Sequence, residues 1–99
     1  MTRQRIHEMV DLVLNLNELS TRLDNDNVRA SIGVDGKYET GAVWIHTNIG
    51  TPDMVSYTYV FSKYMPMASE DIYDPGYVKA EAHIKKLIAD LEQGVRDDT

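Results

Sequence analysis

The sequence predicts an α+β fold, with N- and C-terminal helices packed on one face of a three-stranded antiparallel sheet in the order α-β-β-β-α. Three observations carry this expectation: apolar residues at helical spacing near both ends, period-two alternation between them, and two turn signals dividing the middle into three strands. With 99 residues the chain can build one small core and not two, so residues 1–99 read as a single domain.

The first helix is expected from about Thr2 to Leu23. Thr2 can cap it, and no Gly or Pro interrupts the segment. At 100° per residue Met9, Leu12, Leu16, Leu19 and Leu23 share one side, and Ile6, Val10, Val13 and Leu14 widen it to an apolar arc of roughly 220°. An arc that wide exceeds what one sheet face needs. The helix should also touch the second helix or another subunit. Asp24-Asn25-Asp26-Asn27 breaks the helix, and Val28 to Val34 then alternates as a strand with one apolar face. Asp35-Gly36 signals a tight hairpin into a second strand, about Tyr38 to Ile49. Gly50-Thr51-Pro52-Asp53 turns the chain into a third, about Met54 to Lys63, whose Tyr, Thr, Val and Phe favour β structure. An acidic loop over residues 64–74 follows. Asp74 and Pro75 read as the cap and first residue of a final helix. That helix buries Tyr77, Ala80, Ile84, Leu87, Ile88 and Leu91, and Gly94 should end it, leaving a frayed tail over 94–99.

Hairpin register decides which residues share a face. A two-residue loop at Asp35-Gly36 sets Val34 opposite Lys37 and Val28 opposite Val43. A four-residue loop at 50–53 sets Ile49 opposite Met54 and Trp44 opposite Tyr59. One face then collects Val28, Ala30, Ile32, Val34, Val43, Ile45, Ile49, Met54 and Val60 as core. The other collects Tyr38, Trp44, His46, Tyr57, Tyr59 and Phe61, with Arg29 and Lys63 at its margins and nothing left in the chain to cover it. A slip of one residue in the second hairpin would instead send the Tyr57, Tyr59 and Phe61 row beneath the helices.

Catalytic chemistry finds no recognisable constellation. His7, His46 and His83 fall on three elements, without i,i+4 or H-x-H metal spacing. There is no G-x-S-x-G elbow, and the six glycines are isolated, so no phosphate-cradling loop exists. Asp24 and Asp26 lack the Gly and distal Glu of a calcium loop. Cysteine is absent, which excludes disulfides, thiolate zinc sites and a catalytic thiol. No catalytic residue, metal site or cofactor is expected, and the chain reads as a non-enzyme. The element order is also that of double-stranded-RNA-binding domains. Here, however, the final helix opens on Asp74-Pro75-Gly76-Tyr77, and Lys79, Lys85 and Lys86 are spread over more than a turn, so that assignment is rejected.

Sixteen acidic against ten basic residues give a net charge of -6, which disfavours direct binding to a phosphate backbone. No apolar run approaches the roughly 18 residues of a membrane span. Glu8, Asp11, Asn15 and Asn17 interrupt the stretch after Arg3 and Arg5, so it does not read as a signal peptide, and a cytoplasmic location is expected. The expected function is therefore a non-enzymatic, self-associating interaction module that binds a macromolecular partner. Tyr38, Trp44, His46, Tyr57, Tyr59 and Phe61 would supply the contact, and the loop carboxylates Glu70, Asp71 and Asp74 would steer a basic, nucleic-acid-binding protein. In size and charge, though in no motif, the chain is similar to phage-encoded inhibitors such as anti-CRISPR proteins. The alternative is a small module that stacks a nucleotide or another flat ligand on the same rings, with Arg29, His46 and Lys63 as polar contacts.

Overall fold

A computed structural model describes residues 3–35, 40–62 and 75–97. Helix α1 spans Arg3–Arg22, strands β1, β2 and β3 span Val28–Asp35, Thr40–Thr47 and Val55–Ser62, and helix α2 spans Pro75–Asp97. The sheet is an antiparallel meander in the order β1-β2-β3. Both helices lie on one face and touch each other, α1 over β1 and α2 over β3. The predicted α-β-β-β-α architecture is thus the one observed.

Between the layers Met9, Val13, Leu16 and Leu19 of α1 meet Val28, Ala30, Val43, Ile45 and Phe61 of the sheet. Tyr77, Ala80, Ile84, Leu87 and Leu91 of α2 complete this core. Their recurrence at three and four residues along each helix is what turns a single apolar stripe toward the sheet. The Tyr77 hydroxyl donates to the Arg5 carbonyl at 2.8 Å, tying the first turn of α2 to that of α1. Contact with both sheet and second helix accounts for the wide apolar arc of α1, although Leu14 remains half exposed on its outer flank.

Helix α1 stops through local hydrogen bonding. The Asn25 N–H bonds the Ser20 carbonyl at 2.9 Å and the Asp24 N–H bonds the Thr21 carbonyl at 3.1 Å, with Asp24 at φ 52°. This is a Schellman closure in which an aspartate takes the left-handed position that glycine usually fills. Pro75 opens α2 as expected. Gly94 does not close it. The residue keeps a helical rather than a positive φ, and α2 continues to Asp97. The Tyr38 side of the first hairpin and the acidic loop lie outside the described residues.

Both hairpin registers differ from expectation, with different consequences. Val28 pairs with Thr47 rather than Val43, a shift of four that leaves every side chain on its expected face. Thr47 pairs with Val55 and Trp44 with Thr58, a shift of one that reverses β3. Residues 48–54 make the longer connection. Asn48 to Thr51 form a turn closed by the Thr51 N–H on the Asn48 carbonyl at 3.2 Å, with Gly50 at φ 79° as a type II turn requires. The physical reason lies in β3 itself. One alternating set is Val55, Tyr57, Tyr59 and Phe61, and the other is Ser56, Thr58, Val60 and Ser62. The expected register would have buried the hydroxyl-bearing set, at the cost of unsatisfied polar groups. Met54 and Val60, expected in the core, are more than half exposed, and Val34 is nearly so.

Gly41 holds the observed register in place. It pairs with Phe61, whose ring lies across it. A Cβ at Gly41 would come within 2.5 Å of Phe61 Cε2 and 2.7 Å of Cζ. Gly41→Ala is therefore expected to push Phe61 off its seat and lower stability by about 2 kcal/mol. Urea unfolding followed by tryptophan fluorescence would read the change. An unaltered midpoint would mean that Phe61 is not seated by this glycine.

Candidate functional site

The sheet face turned away from the helices carries Arg29, Ser31, Gly33 and Asp35 from β1, Thr40, Ala42, Trp44 and His46 from β2, and Ser56, Thr58 and Val60 from β3. No described element covers it. Trp44 is 39% exposed, and its ring edge rests over Gly33, with Cη2 and Cζ3 both 3.1 Å from where a Cβ there would lie. Val60, 55% exposed, flanks the same shallow depression of about 360 Å³ with Ala42 and Gly41. The result is one aromatic anchor in an apolar patch, with hydroxyl side chains of Ser31, Ser56 and Thr58 on the same face.

Toward the other end of this face, His46 Nδ1 and Ser56 Oγ are 2.8 Å apart across β2 and β3. A hydroxyl–imidazole pair acts as nucleophile and base only when a third group orients the ring and donors await the oxyanion. The residue paired with His46 on β1 is Arg29, a cation with no acceptor to offer the imidazole. The pair is a cross-strand hydrogen bond on an open surface. Among the described residues no three His, Asp or Glu side chains come together as metal ligands. No helix there is long and apolar enough to cross a membrane.

Trp44 and His46 thus occupy the face expected of them. Tyr57, Tyr59 and Phe61 do not: the one-residue register shift carries all three beneath α2. Phe61 is 1% exposed and meets Tyr77 edge-on at 5.8 Å between ring centroids. Tyr57 and Tyr59 are half-buried against His83 of α2, with centroids 4.6 and 5.8 Å away. Tyr38, Lys63, Glu70, Asp71 and Asp74 lie outside the described residues. The aromatic row expected to form one platform is therefore divided between two faces.

Two polar groups that the sequence reading passed over shape the sheet's edge. Asn17 of α1 donates Nδ2–H to the Ala30 carbonyl at 2.7 Å and accepts the Ala30 N–H on Oδ1 at 3.0 Å, as a neighbouring strand would. The Ser20 hydroxyl reaches the carbonyls of Asn25 at 2.5 Å and Val28 at 3.2 Å. A signal was present. Asn17 follows Val13 by four residues and Val10 by seven, so an amide interrupts an otherwise apolar helix face. Under α2, the Tyr59 hydroxyl and His83 Nδ1 are 2.8 Å apart. Burial, and secondarily the Lys86 cation, hold His83 below its ordinary pKa of 6.5, while burial and then Tyr57 raise that of Tyr59.

Comparison with known proteins returns no matching family model, no matching curated protein and no matching solved structure.

Two outcomes follow from these contacts. Asn17→Ala leaves the Ala30 amide and carbonyl without their side-chain partner and is expected to cost about 2 kcal/mol, read as a lower urea midpoint. A variant with wild-type stability would show that water replaces the amide without loss. Because burial, and secondarily Lys86, depresses the His83 pKa, its contribution to stability is complete above its ordinary pKa and falls as pH drops below it. Unfolding midpoints at about pH 7.5 and about pH 5 should show wild type losing more stability than His83→Gln. Equal losses would exclude His83 as the titrating group.

Proposed function

We propose that the chain is a non-enzymatic interaction protein that binds a protein partner through the open face of its sheet and associates with itself. The observation that carries this reading is the disposition of the layers. Both helices cover one face, and the opposite face presents Trp44 over Gly33 beside the exposed Val60. Tryptophan is the side chain most often found at the energetic centre of protein interfaces, where a rigid ring fills a partner's pocket at low entropic cost. Surrounding hydroxyls suit the rim of such a contact.

The charge of -6 supports a basic partner, including a nucleic-acid-binding protein whose groove an inhibitor would occupy. The open face itself carries Arg29 and Asp35, so apolar contact supplies affinity there and carboxylates elsewhere act at longer range. Stacking of a nucleotide or another flat ligand is the weaker reading, since it drew on Tyr57, Tyr59 and Phe61 lying beside Trp44.

The test is affinity capture with wild type and with Trp44→Glu, alongside circular dichroism to establish that both are folded. A partner retained by wild type and reduced at least about tenfold by the variant supports the reading, as expected for a buried aromatic anchor. Equal retention by both would remove the open face from binding. A dependence on ionic strength would mark the electrostatic share, which salt screens.

A further inference from the structure

We infer that a second copy of this chain adds its own β3 to the outer edge of β3, antiparallel, so that two three-stranded sheets become one of six strands. This rests on the self-association half of the reading above and names the surface responsible.

The direction of the backbone groups follows from Asn17. In an antiparallel pair, residues alternate between bonding the neighbouring strand and pointing away from it. Ala30 bonds Asn17 with both its N–H and its carbonyl, so the even-numbered residues of β1 point outward and the odd-numbered ones bond β2. The Asn48 N–H on the Asn27 carbonyl, 3.1 Å, continues the same alternation past the strand ends. On β2 the even-numbered residues therefore face β1. Gly41, Val43, Ile45 and Thr47 face β3, where they meet Phe61, Tyr59, Tyr57 and Val55. What remains on β3 is a row of N–H and carbonyl groups at Ser56, Thr58 and Val60, directed away from the sheet.

The two edges of the sheet are treated differently. Asn17 and Ser20 close the first half of the β1 edge. No hydrogen bond from any described residue reaches the outward groups of Ser56, Thr58 or Val60. Edges that stay free in solution are usually blunted by a charge, a proline or a bulge. Val55–Ser62 reads VSYTYVFS, with no charge, proline or glycine in a chain of which 26% is charged. A row of three such residues is matched along its length by alternating donors and acceptors on an extended backbone, as another strand provides. A second copy of the same strand fits without like-charge conflict along the ladder, because β3 is uncharged. Its outward-pointing residues can also oppose one another around a two-fold axis at Thr58 or at Tyr59. Such pairing leaves the face carrying Trp44 open and doubles it.

Sedimentation velocity on wild type, Thr58→Pro and Val60→Lys tests the inference. Thr58→Pro removes an outward N–H that β2 does not use, and Val60→Lys places a charge on an exposed edge position. Wild type is expected to be a dimer, and each variant that keeps its circular dichroism is expected to dissociate about 100-fold more readily. Single cysteines at Thr58 and Val60, in a chain with none of its own, report the axis. A Thr58→Cys homodisulfide places it at Thr58, and a mixed disulfide of the two variants places it at Tyr59; either supports the pairing. A wild-type dimer unaffected by both substitutions would overturn the β3 edge while leaving self-association standing. If instead wild type is a monomer throughout, both statements fail. Dissociation by Trp44→Glu alone would move the interface to the open face and overturn the edge.

Discussion

The seating of Phe61 across Gly41 is the contact on which the remaining architecture depends. It holds β3 in the register that turns Val55, Tyr57, Tyr59 and Phe61 toward the helices. Once Phe61 is inward, Tyr77 meets its ring edge-on, and the hydroxyl of Tyr77 ties α2 to α1 through the Arg5 carbonyl. Two residues back along β3, Tyr59 is placed to bond His83, six residues further along α2. A slip of one residue would undo these contacts together, exchanging aromatic burial for buried hydroxyls. That coupling is why register is strongly specified where one face of a strand is covered.

Satisfying the aromatic side has a consequence on the other one. With the rings beneath α2, the uncovered face is left with small and hydroxyl side chains, Arg29, Asp35 and His46, plus Trp44 and Val60. Polar and charged side chains thus surround the half-exposed Trp44 on that face. Division of the rings between two layers therefore follows from the register that buries Phe61.

The fold was legible because its signals were redundant. Leu12, Leu16, Leu19 and Leu23 mark one helix face, and Ala80, Ile84, Leu87 and Leu91 mark another. The alternation from Val28 to Val34 marks a strand, and Pro75 marks a helix start. The site was legible only in part. Trp44 and His46 fell where expected, since a register error of four residues between β1 and β2 preserves parity. Tyr57, Tyr59 and Phe61 fell on the opposite face because the connection after Thr47 runs seven residues, over 48–54, rather than the four suggested by Gly50 to Asp53. Comparing the two alternating sets of β3 would have decided the matter without any loop length, because only one set is free of Ser and Thr. Asn17 was legible only as an amide on an apolar helix face, because its partner is a backbone group thirteen residues away, which helical periodicity does not display.

Edge protection completes the physical picture. A three-stranded meander has two edges, and the chain closes part of one by turning an amide from α1 toward Ala30. The amide works because α1 lies over β1, close enough for a short side chain to reach the strand's outward groups. Helix α2 lies over β3 instead. From there it contributes His83 to the inward-facing rings, and no side chain of α2 among the described residues bonds the outward groups of β3. The difference originates in β3's inward row of large rings. These occupy the side chains of α2 in packing, whereas the small Ala30 lets Asn17 approach the backbone. The same inward rings that fix the register of β3 thus leave its outward backbone groups without a partner from α2.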